Sequence, residues 1–304
     1  MRARPRTKTR ASVLVQVIHT VGWMKQAARQ AREEGRVIGF VPTMGALHAG
    51  HLSLVERAHL DASPVVVSIF VNPKQFGPGE DFERYPRALD ADRALLEEAG
   101  VDVLFAPSVE EMYPPGFRTA VNVEGLGDRL EGRIRPGHFR GVATVVLKLL
   151  DIVVPRFAYF GRKDAQQARM IGQMATDLSL DSEIVVCPIV READGLAMSS
   201  RNAYLSSEER SAAPVLFRAL DHARAAVIAG ERDPVRIVSA MRAVFAGEPL
   251  AVPDYVEVVD SASFEQVTRL RGTCLALLAA RVGRTRLIDN MLIECGDAGV
   301  NCTL

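Results

Sequence analysis

The strongest constraint on this chain is a repeated order in its first two thirds. A short apolar run is followed by a segment with helical spacing, and then by another short apolar run. Residues 37–41, 65–71, 101–106, 157–160 and 184–190 are such runs, and they read as buried strands. Residues 51–60 and 90–99 place apolar side chains at helical spacing, and Gly100 follows the second as a C-terminal cap would. Residues 142–153 form an apolar helix candidate. Strands that alternate with helices predict a parallel sheet covered on both faces. This is a doubly wound, Rossmann-like α/β architecture of the nucleotide-binding type.

The texture changes after Val190. Residues 207–230 and 233–247 read as two long helices rich in Ala and Arg. Strand-like runs follow at 255–259, 274–282 and 286–293. Helices followed by strands predict a smaller α+β unit. The expected organisation is a basic tail at 1–12, a Rossmann-like unit at 13–190 and a smaller C-terminal α+β lid at 191–304. The 304 residues suffice for two ordinary domains.

Composition narrows the function classes. Lys plus Arg and Asp plus Glu both number 37, so no global charge draws the chain to nucleic acid or to an anionic membrane. Aromatics make up only 6%, which also disfavours a nucleic-acid-binding module. No apolar stretch approaches the roughly 18 residues of a membrane span. The basic start MRARPRTKTR leads into an apolar run at 13–18, but Gln16 and His19 interrupt it and no small-residue cleavage site follows. The cytoplasm is the expected location. The four cysteines, 187, 274, 295 and 302, form no CxxC pair, so a zinc site is not expected. Reduced thiols are the expected state, with a Cys295–Cys302 disulfide as the alternative.

Five segments carry chemistry. PTMGALHAGH at 42–51 follows a strand and opens a helix. Its glycines allow close backbone approach, and a helix N-terminus attracts phosphate oxygens. His48 and His51 lie three apart and face one ligand. Near the positive end of a helix an imidazole tends to stay neutral, and its N–H still donates to a phosphate. By itself this is also a Gly-rich turn with two surface histidines. GLAMSSRN at 195–202 offers the hydroxyls of Ser199 and Ser200 and the fork of Arg201, or else an ordinary helix cap. FGRKDAQQ at 160–167 follows a strand, where open α/β sheets bind ligands. There Lys163 is a charge for phosphate, Asp164 an acceptor for a ribose hydroxyl, and Gln167 an amide for a polar substrate. Arg162 and Gln166 read equally well as solvated loop residues. SIFVNPKQF at 68–76 places Asn72 and Gln75 between Phe70 and Phe76, which would wall a pocket. EGRIRPGHFR at 131–140 is a basic loop whose Arg135 and His138 reach toward an anion or toward solvent.

HAGH followed by MSSR resembles the two signatures of the HxGH nucleotidyltransferase superfamily. Taken together with VSIFVNPKQF at 67–76, RPGHFRGVATVVLKLL at 135–150, READGLAMSSRNAYLS at 191–206, DYVEVVD at 254–260 and TRLIDNM at 285–291, the chain closely resembles the pantoate–β-alanine ligase family from about residue 17 to residue 293. The resemblance implies ATP-dependent joining of pantoate to β-alanine through a pantoyl-adenylate, with Mg²⁺ and a homodimer. It implies ATP contacts at Met44, Gly45, Ala46, Leu47, His48, Ala49, Gly50 and His51, at Gly161, Arg162, Lys163 and Asp164, at Val190, and at Met198, Ser199, Ser200 and Arg201. His51 falls in the catalytic histidine slot, with His48, Lys163, Ser199, Ser200 and Arg201 expected to share the work on the phosphates. Gln75 falls where the family binds pantoate and β-alanine, and Gln167 where it binds pantoate. The family pattern Gly-Glu-Lys-Asp-Tyr-Gln-Gln is altered here at Arg162 and Ala165. Two other readings compete. One is a nucleotidyltransferase for a phosphorylated substrate, which would call for Arg or Lys at the Gln75 and Gln167 positions. The other is a silent ATP-binding protein, which would not need His48, His51 and Lys163 intact.

Overall fold

The computed structural model describes residues 14–296 and 299–304, so the expected tail at 1–12 lies outside the described residues. The chain begins with β1 (Gln16–Ile18), α1 (Val21–Glu33), β2 (Gly39–Thr43), α2 (Ala49–Asp61) and β3 (Val65–Ile69). It continues through α3 (Leu89–Glu98), β4 (Val103–Phe105), α4 (Val109–Met112), α5 (Glu131–Ile134) and α6 (His138–Val153). Next come β5 (Phe157–Gly161), α7 (Ala165–Asp177) and β6 (Glu183–Cys187). The last third holds α8 (Ser207–Ala212), α9 (Val215–Ile228), α10 (Pro234–Phe245), β7 (Ala251–Asp260), β8 (Gly272–Val282), β9 (Thr285–Gly296) and β10 (Gly299–Thr303).

The first six strands form one parallel sheet in the order β1-β4-β3-β2-β5-β6. This is the doubly wound sheet the sequence predicts. From β2 the chain builds outward through β3 to β4 on one side, then crosses to β5 and β6 on the other. The loops that leave β2 and β5 therefore diverge and open a crevice at the carboxyl ends of those two central strands. The last four strands form a separate antiparallel sheet, β10-β9-β8-β7.

The second sheet buries both faces, with the side-chain alternation of a strand. Cys274, Ala276, Leu278, Ala280 and Val282 of β8 share a core with Leu216, Ala219 and Leu220 of α9 and with Ile237 and Met241 of α10. Leu275, Leu277 and Ala279 point the other way, into the core that also holds Phe139, Val142 and Ala143 of α6. The second sheet thus packs against the first unit through a continuous apolar seam.

Several elements differ from the sequence expectation. The helix expected at 207–230 is two helices, because Pro214 lacks the N–H that an interior turn requires. Ser206 and Glu209 form a reciprocal capping box that starts the first. Helices α1 and α7 are additional to the expected elements. Alanines fill part of their buried stripes, Ala28 and Ala31 in α1 and Ala165, Ala168 and Ala175 in α7, beside Met24 in α1 and Met170, Ile171 and Met174 in α7. All four cysteines are free, so the Cys295–Cys302 disulfide is not formed.

Helix α6 approaches the segment at 73–75 so closely that Gly141 is obligatory. A Cβ there would lie 2.1 Å from the Lys74 carbonyl oxygen and 2.7 Å from Gln75 Cα. Gly141→Ala is expected to lower unfolding stability by about 1–3 kcal/mol, the usual scale of overpacking. Urea unfolding checks this; a variant as stable as the parent would show that the contact yields freely.

Candidate active site

The loop after β2 is fixed before any ligand arrives. Thr43 Oγ1 donates to the Ser68 carbonyl at 2.8 Å and accepts from Gly45 N at 3.2 Å. The chain then turns through two residues with positive φ, Gly45 (84°) and Ala46 (51°). The Asp92 carboxylate, buried on α3, accepts from Ala46 N and Leu47 N at 2.8 Å each. A Cβ at Gly45 would meet that carboxylate at 2.9 Å, so glycine is needed for space as well as for its backbone angle. Sequence reasoning misses Asp92, because an acid in the first turn of a helix ordinarily reads as a dipole partner.

Helix α2 starts at this turn, with His48 as its N-cap. His48 Nδ1 accepts from Gly50 N at 3.1 Å, which leaves the Nε2–H to donate elsewhere. The His48 and His51 ring centroids lie 4.1 Å apart. Burial, reinforced by the Lys163 charge, pushes His48 down to about 4. Burial, reinforced by His48 and Lys163, pushes His51 to about 3. Both rings are therefore neutral near pH 7. His51 Nδ1 is sealed from solvent without a partner among the described residues. Buried polar atoms are nearly always paired, so a ligand group fits this position.

The second wall comes from the loop after β3. Asn72 and Gln75 are buried. Asn72 Nδ2 donates to Gln75 Oε1 at 3.0 Å and to the Gly141 carbonyl at 3.1 Å, while Tyr113 Oη donates to Asn72 Oδ1 at 2.8 Å. With Oε1 occupied, Gln75 presents its NH₂ group, now 3.1 Å from Met44 Sδ. The Gln75 main chain is held by His138, whose Nδ1 donates to the Gln75 carbonyl at 2.8 Å. Burial, with Arg135 beside it, lowers His138 to about 4. Phe70 lines the cavity as expected. Phe76 instead joins an aromatic cluster with Phe82 and Tyr85 over the segment that follows.

The third wall follows β5. Gly161 and Lys163 border the cavity, Lys163 Nζ lies 3.9 Å from Asp164, and Gln167 sits in the first turn of α7 facing the same space. The solvated alternative for Gln166 and Arg162 does not hold. Gln166 is buried, donating to the Leu126 and Arg129 carbonyls at 2.7 and 2.9 Å and accepting from Glu131 N at 3.2 Å. Arg162 turns away from the cavity and donates to the Thr303 carbonyl at 3.3 Å.

The fourth wall is the segment 198–201. Ser200 Oγ donates to the Ala46 carbonyl at 3.2 Å, tying this segment to the β2 loop. The Arg201 guanidinium is not free, as the sequence suggests, but forked onto Asp81 with both bonds at 2.9 Å. Arg135 is likewise paired with the neighbouring Glu80, at 2.7 and 2.6 Å. One loop thus supplies consecutive carboxylates to two site arginines, a feature invisible without the fold.

These walls border a cavity of about 230 Å³ that shares lining residues with a neighbouring one of about 610 Å³. Met44, His48, Gly50, His51, Gln75, Gly161, Val190, Met198 and Ser200 line the smaller one. Lys163, Asp164, Gln167, Ser199 and Arg201 line both. Gly45, Ala46, Leu47, Ala49 and Arg162 line neither. Of these, Gly45, Ala46 and Leu47 belong to the Asp92-locked turn.

The depressed histidines make a pH prediction. Unfolded histidines gain protons below about 6.5, whereas folded His48, His51 and His138 wait until about 4 or below. The unfolded chain therefore binds more protons across that window, and stability falls as pH drops from about 6.5 to 4. NMR of the ring nitrogens should find all three neutral at pH 5.5; protonation of His48 or His51 near 6.5 would contradict their burial.

A profile of the family described as Pantoate-beta-alanine ligase matches residues 16–292. A protein of Heliobacterium modesticaldum named pantothenate synthetase is 56% identical over 280 residues, covering 92% of this chain and all of that one. One of Roseiflexus castenholzii with the same name matches equally, at 56% over 280 residues. Among solved structures, pantothenate synthetase from Thermus thermophilus superposes with a TM-score of 0.87 at 48% identity, covering 91% of this chain and 98% of that one. A Francisella tularensis pantoate-beta-alanine ligase, described as complexed with beta-gamma ATP and beta-alanine, gives a TM-score of 0.75 at 34% identity over 91% of this chain and 97% of that one. With the crevice, its histidine pair and its two glutamines in place, this chain belongs to the pantoate-beta-alanine ligase family.

Proposed function

We propose that the crevice activates pantoate with ATP and passes the acyl group to β-alanine, giving pantothenate, AMP and pyrophosphate. The observation that carries this reading is the juxtaposition, around one cavity, of two neutral histidines and Lys163 with the amides of Gln75 and Gln167. The first group suits phosphates, and the second suits a small uncharged polar body with a carboxylate. A phosphorylated acceptor would need cations in place of the glutamines.

A pantoate carboxylate oxygen attacks the α-phosphorus, the bond to the bridging oxygen breaks, and pyrophosphate leaves. The β-alanine amine then attacks the acyl carbon, loses a proton and expels AMP. In our reading the His48 and His51 N–H groups meet the α-phosphate. Lys163, Ser199, Ser200 and Arg201 gather on the departing pyrophosphate, Arg201 exchanging Asp81 for phosphate oxygens. Neutral donors stabilise charge that develops in the transition state, and one such donor is worth about 10²–10³ in rate. Gln75 orients pantoate and β-alanine, and Gln167 orients pantoate. Positioning of this kind contributes about 7–11 kcal/mol.

Mg²⁺ enters as the ion carried by the nucleotide. Among the described residues no cluster of three or more His, Cys, Asp or Glu side chains is arranged to hold a metal. The phosphates are the hard oxygen donors the ion prefers, with Asp164 the nearest carboxylate of the Lys163 wall. We further read residues 13–190 as the unit that binds ATP and pantoate, and 191–304 as the lid that completes it through the Ser199–Arg201 wall. The homodimer rests on the family resemblance, and the cytoplasmic location is the expectation drawn from the sequence. Among the described residues no helix is long and apolar enough to cross a membrane.

Pyrophosphate–ATP exchange tests the reading. Exchange is expected with pantoate alone, and AMP and pantothenate are expected once β-alanine is added; ATP bound without exchange would refute it. His51→Ala should lower exchange by about 10²-fold or more while the thermal melt barely moves. Unchanged turnover would remove His51 from the chemistry. Gln75→Ala should raise the KM for pantoate far more than that for ATP, and a loss confined to ATP would contradict its assignment.

A further inference from the structure

Two consecutive residues of β9, distant in sequence from the loops so far described, brace the Lys163 wall and the Ser199–Arg201 wall, and one of them, Asp289, borders the larger cavity. Asn290 is fully buried and lines neither cavity. Its Nδ2 donates to the carbonyls of both Arg162 and Lys163, at 2.8 and 3.0 Å. One amide group thus fixes the main chain of the turn that carries Lys163. Asp289 is also buried, and its carboxylate grips Arg191 with two bonds, at 2.7 and 3.1 Å.

Arg191 opens the segment that ends in Ser199, Ser200 and Arg201. It donates to the Gly195 carbonyl at 3.0 Å, and its main chain bridges to Ala197. Met198 N donates to the Val190 carbonyl at 3.0 Å, closing that tight hairpin. Gripping Arg191 therefore positions the serines. The two residues are also coupled to each other, since Asn290 N donates to Asp289 Oδ1 at 2.8 Å.

We infer that Asp289 and Asn290 are positioning residues that set the gap between Lys163 and the Ser199–Arg201 wall, and so govern the step that expels pyrophosphate. This deepens the proposed adenylation and rests on it. The physical basis is the strictness of catalytic geometry, in which a misplacement of about 1 Å costs about 10²-fold. Neither side chain needs to touch the nucleotide. Asn290 acts through the main chain of Arg162 and Lys163, and both Asp289 oxygens are taken up by Arg191.

The test separates the two half-reactions. Asn290→Ala removes both donors to the Lys163 turn. Pyrophosphate–ATP exchange should fall at least about tenfold, with a raised KM for ATP. Conversion of chemically prepared pantoyl-adenylate by β-alanine should stay within about twofold, because no pyrophosphate takes part in it. Should Asn290→Ala lose its fold by circular dichroism, Asn290→Ser, whose hydroxyl stops one bond short of the amide nitrogen and so gives up both contacts while keeping a polar group, carries the same comparison. A parallel fall in both half-reactions would mean only less folded enzyme and would overturn the inference, as would undiminished exchange. Absence of pantoate-dependent exchange in the parent enzyme would instead sink the adenylation reading, and this inference with it.

Discussion

The reversal of strand order between β2 and β5 is the constraint on which the rest depends. Parallel neighbours leave no gap where successive connections run the same way. They leave one where the chain switches sides. Here the two loops that flank the switch carry His48 and His51 after β2 and Lys163 after β5. The loop after β3 brings Asn72 and Gln75 from the adjacent strand, and α6 presses against it at Gly141. Everything else in the site is a device for holding these loops still. Asp92 locks the first, Asn290 the second, and the Tyr113–Asn72–Gln75 chain of hydrogen bonds sets the polarity of the third.

The electrostatics follow the same logic. Cations gather in and around the crevice, but Arg135, Arg201 and Arg286, and Arg191 behind the wall at 198–201, are each held by a carboxylate, from Glu80, Asp81, Glu131 and Asp289. Buried pairs of this sort contribute little net stability, because desolvation offsets attraction. What they provide is orientation. The Arg286–Glu131 and Arg191–Asp289 pairs join the second sheet to the segments around it. The Arg201–Asp81 and Arg135–Glu80 pairs lie where anionic substrates would compete with the carboxylates. The histidines take the opposite course. Burial keeps them uncharged, so their rings add nothing to the positive charge already present.

Much of this was legible in the chain, for physical reasons. The parallel sheet announced itself because its strands are buried on both faces and read as unbroken apolar runs. The site loops announced themselves because glycines, histidines and a lysine follow directly on strand ends. Helices α1 and α7 were less legible because charged and amide residues are interspersed along them and alanines fill part of the buried face. Asp81, Asp92, Asp289 and Asn290 stayed hidden for a different reason. Each works on a loop distant in sequence, Asp92 on Ala46 and Leu47, Asn290 on Arg162 and Lys163. A carboxylate or amide whose partner is a main-chain group or an arginine far along the chain looks like any surface polar residue. The same limit misplaced Gln166, which is a buried brace for the segment at 126–131.

The central claim is that the crevice joins a pantoate carboxylate oxygen to the α-phosphorus of ATP. The most direct measurement is oxygen transfer, using pantoate labelled with ¹⁸O in its carboxylate and mass analysis of the nucleotide product. Attack at the α-phosphorus must deliver one labelled oxygen into AMP when β-alanine displaces it. Unlabelled AMP, or label appearing in orthophosphate alongside ADP, would mean that another phosphorus is attacked and would contradict the account.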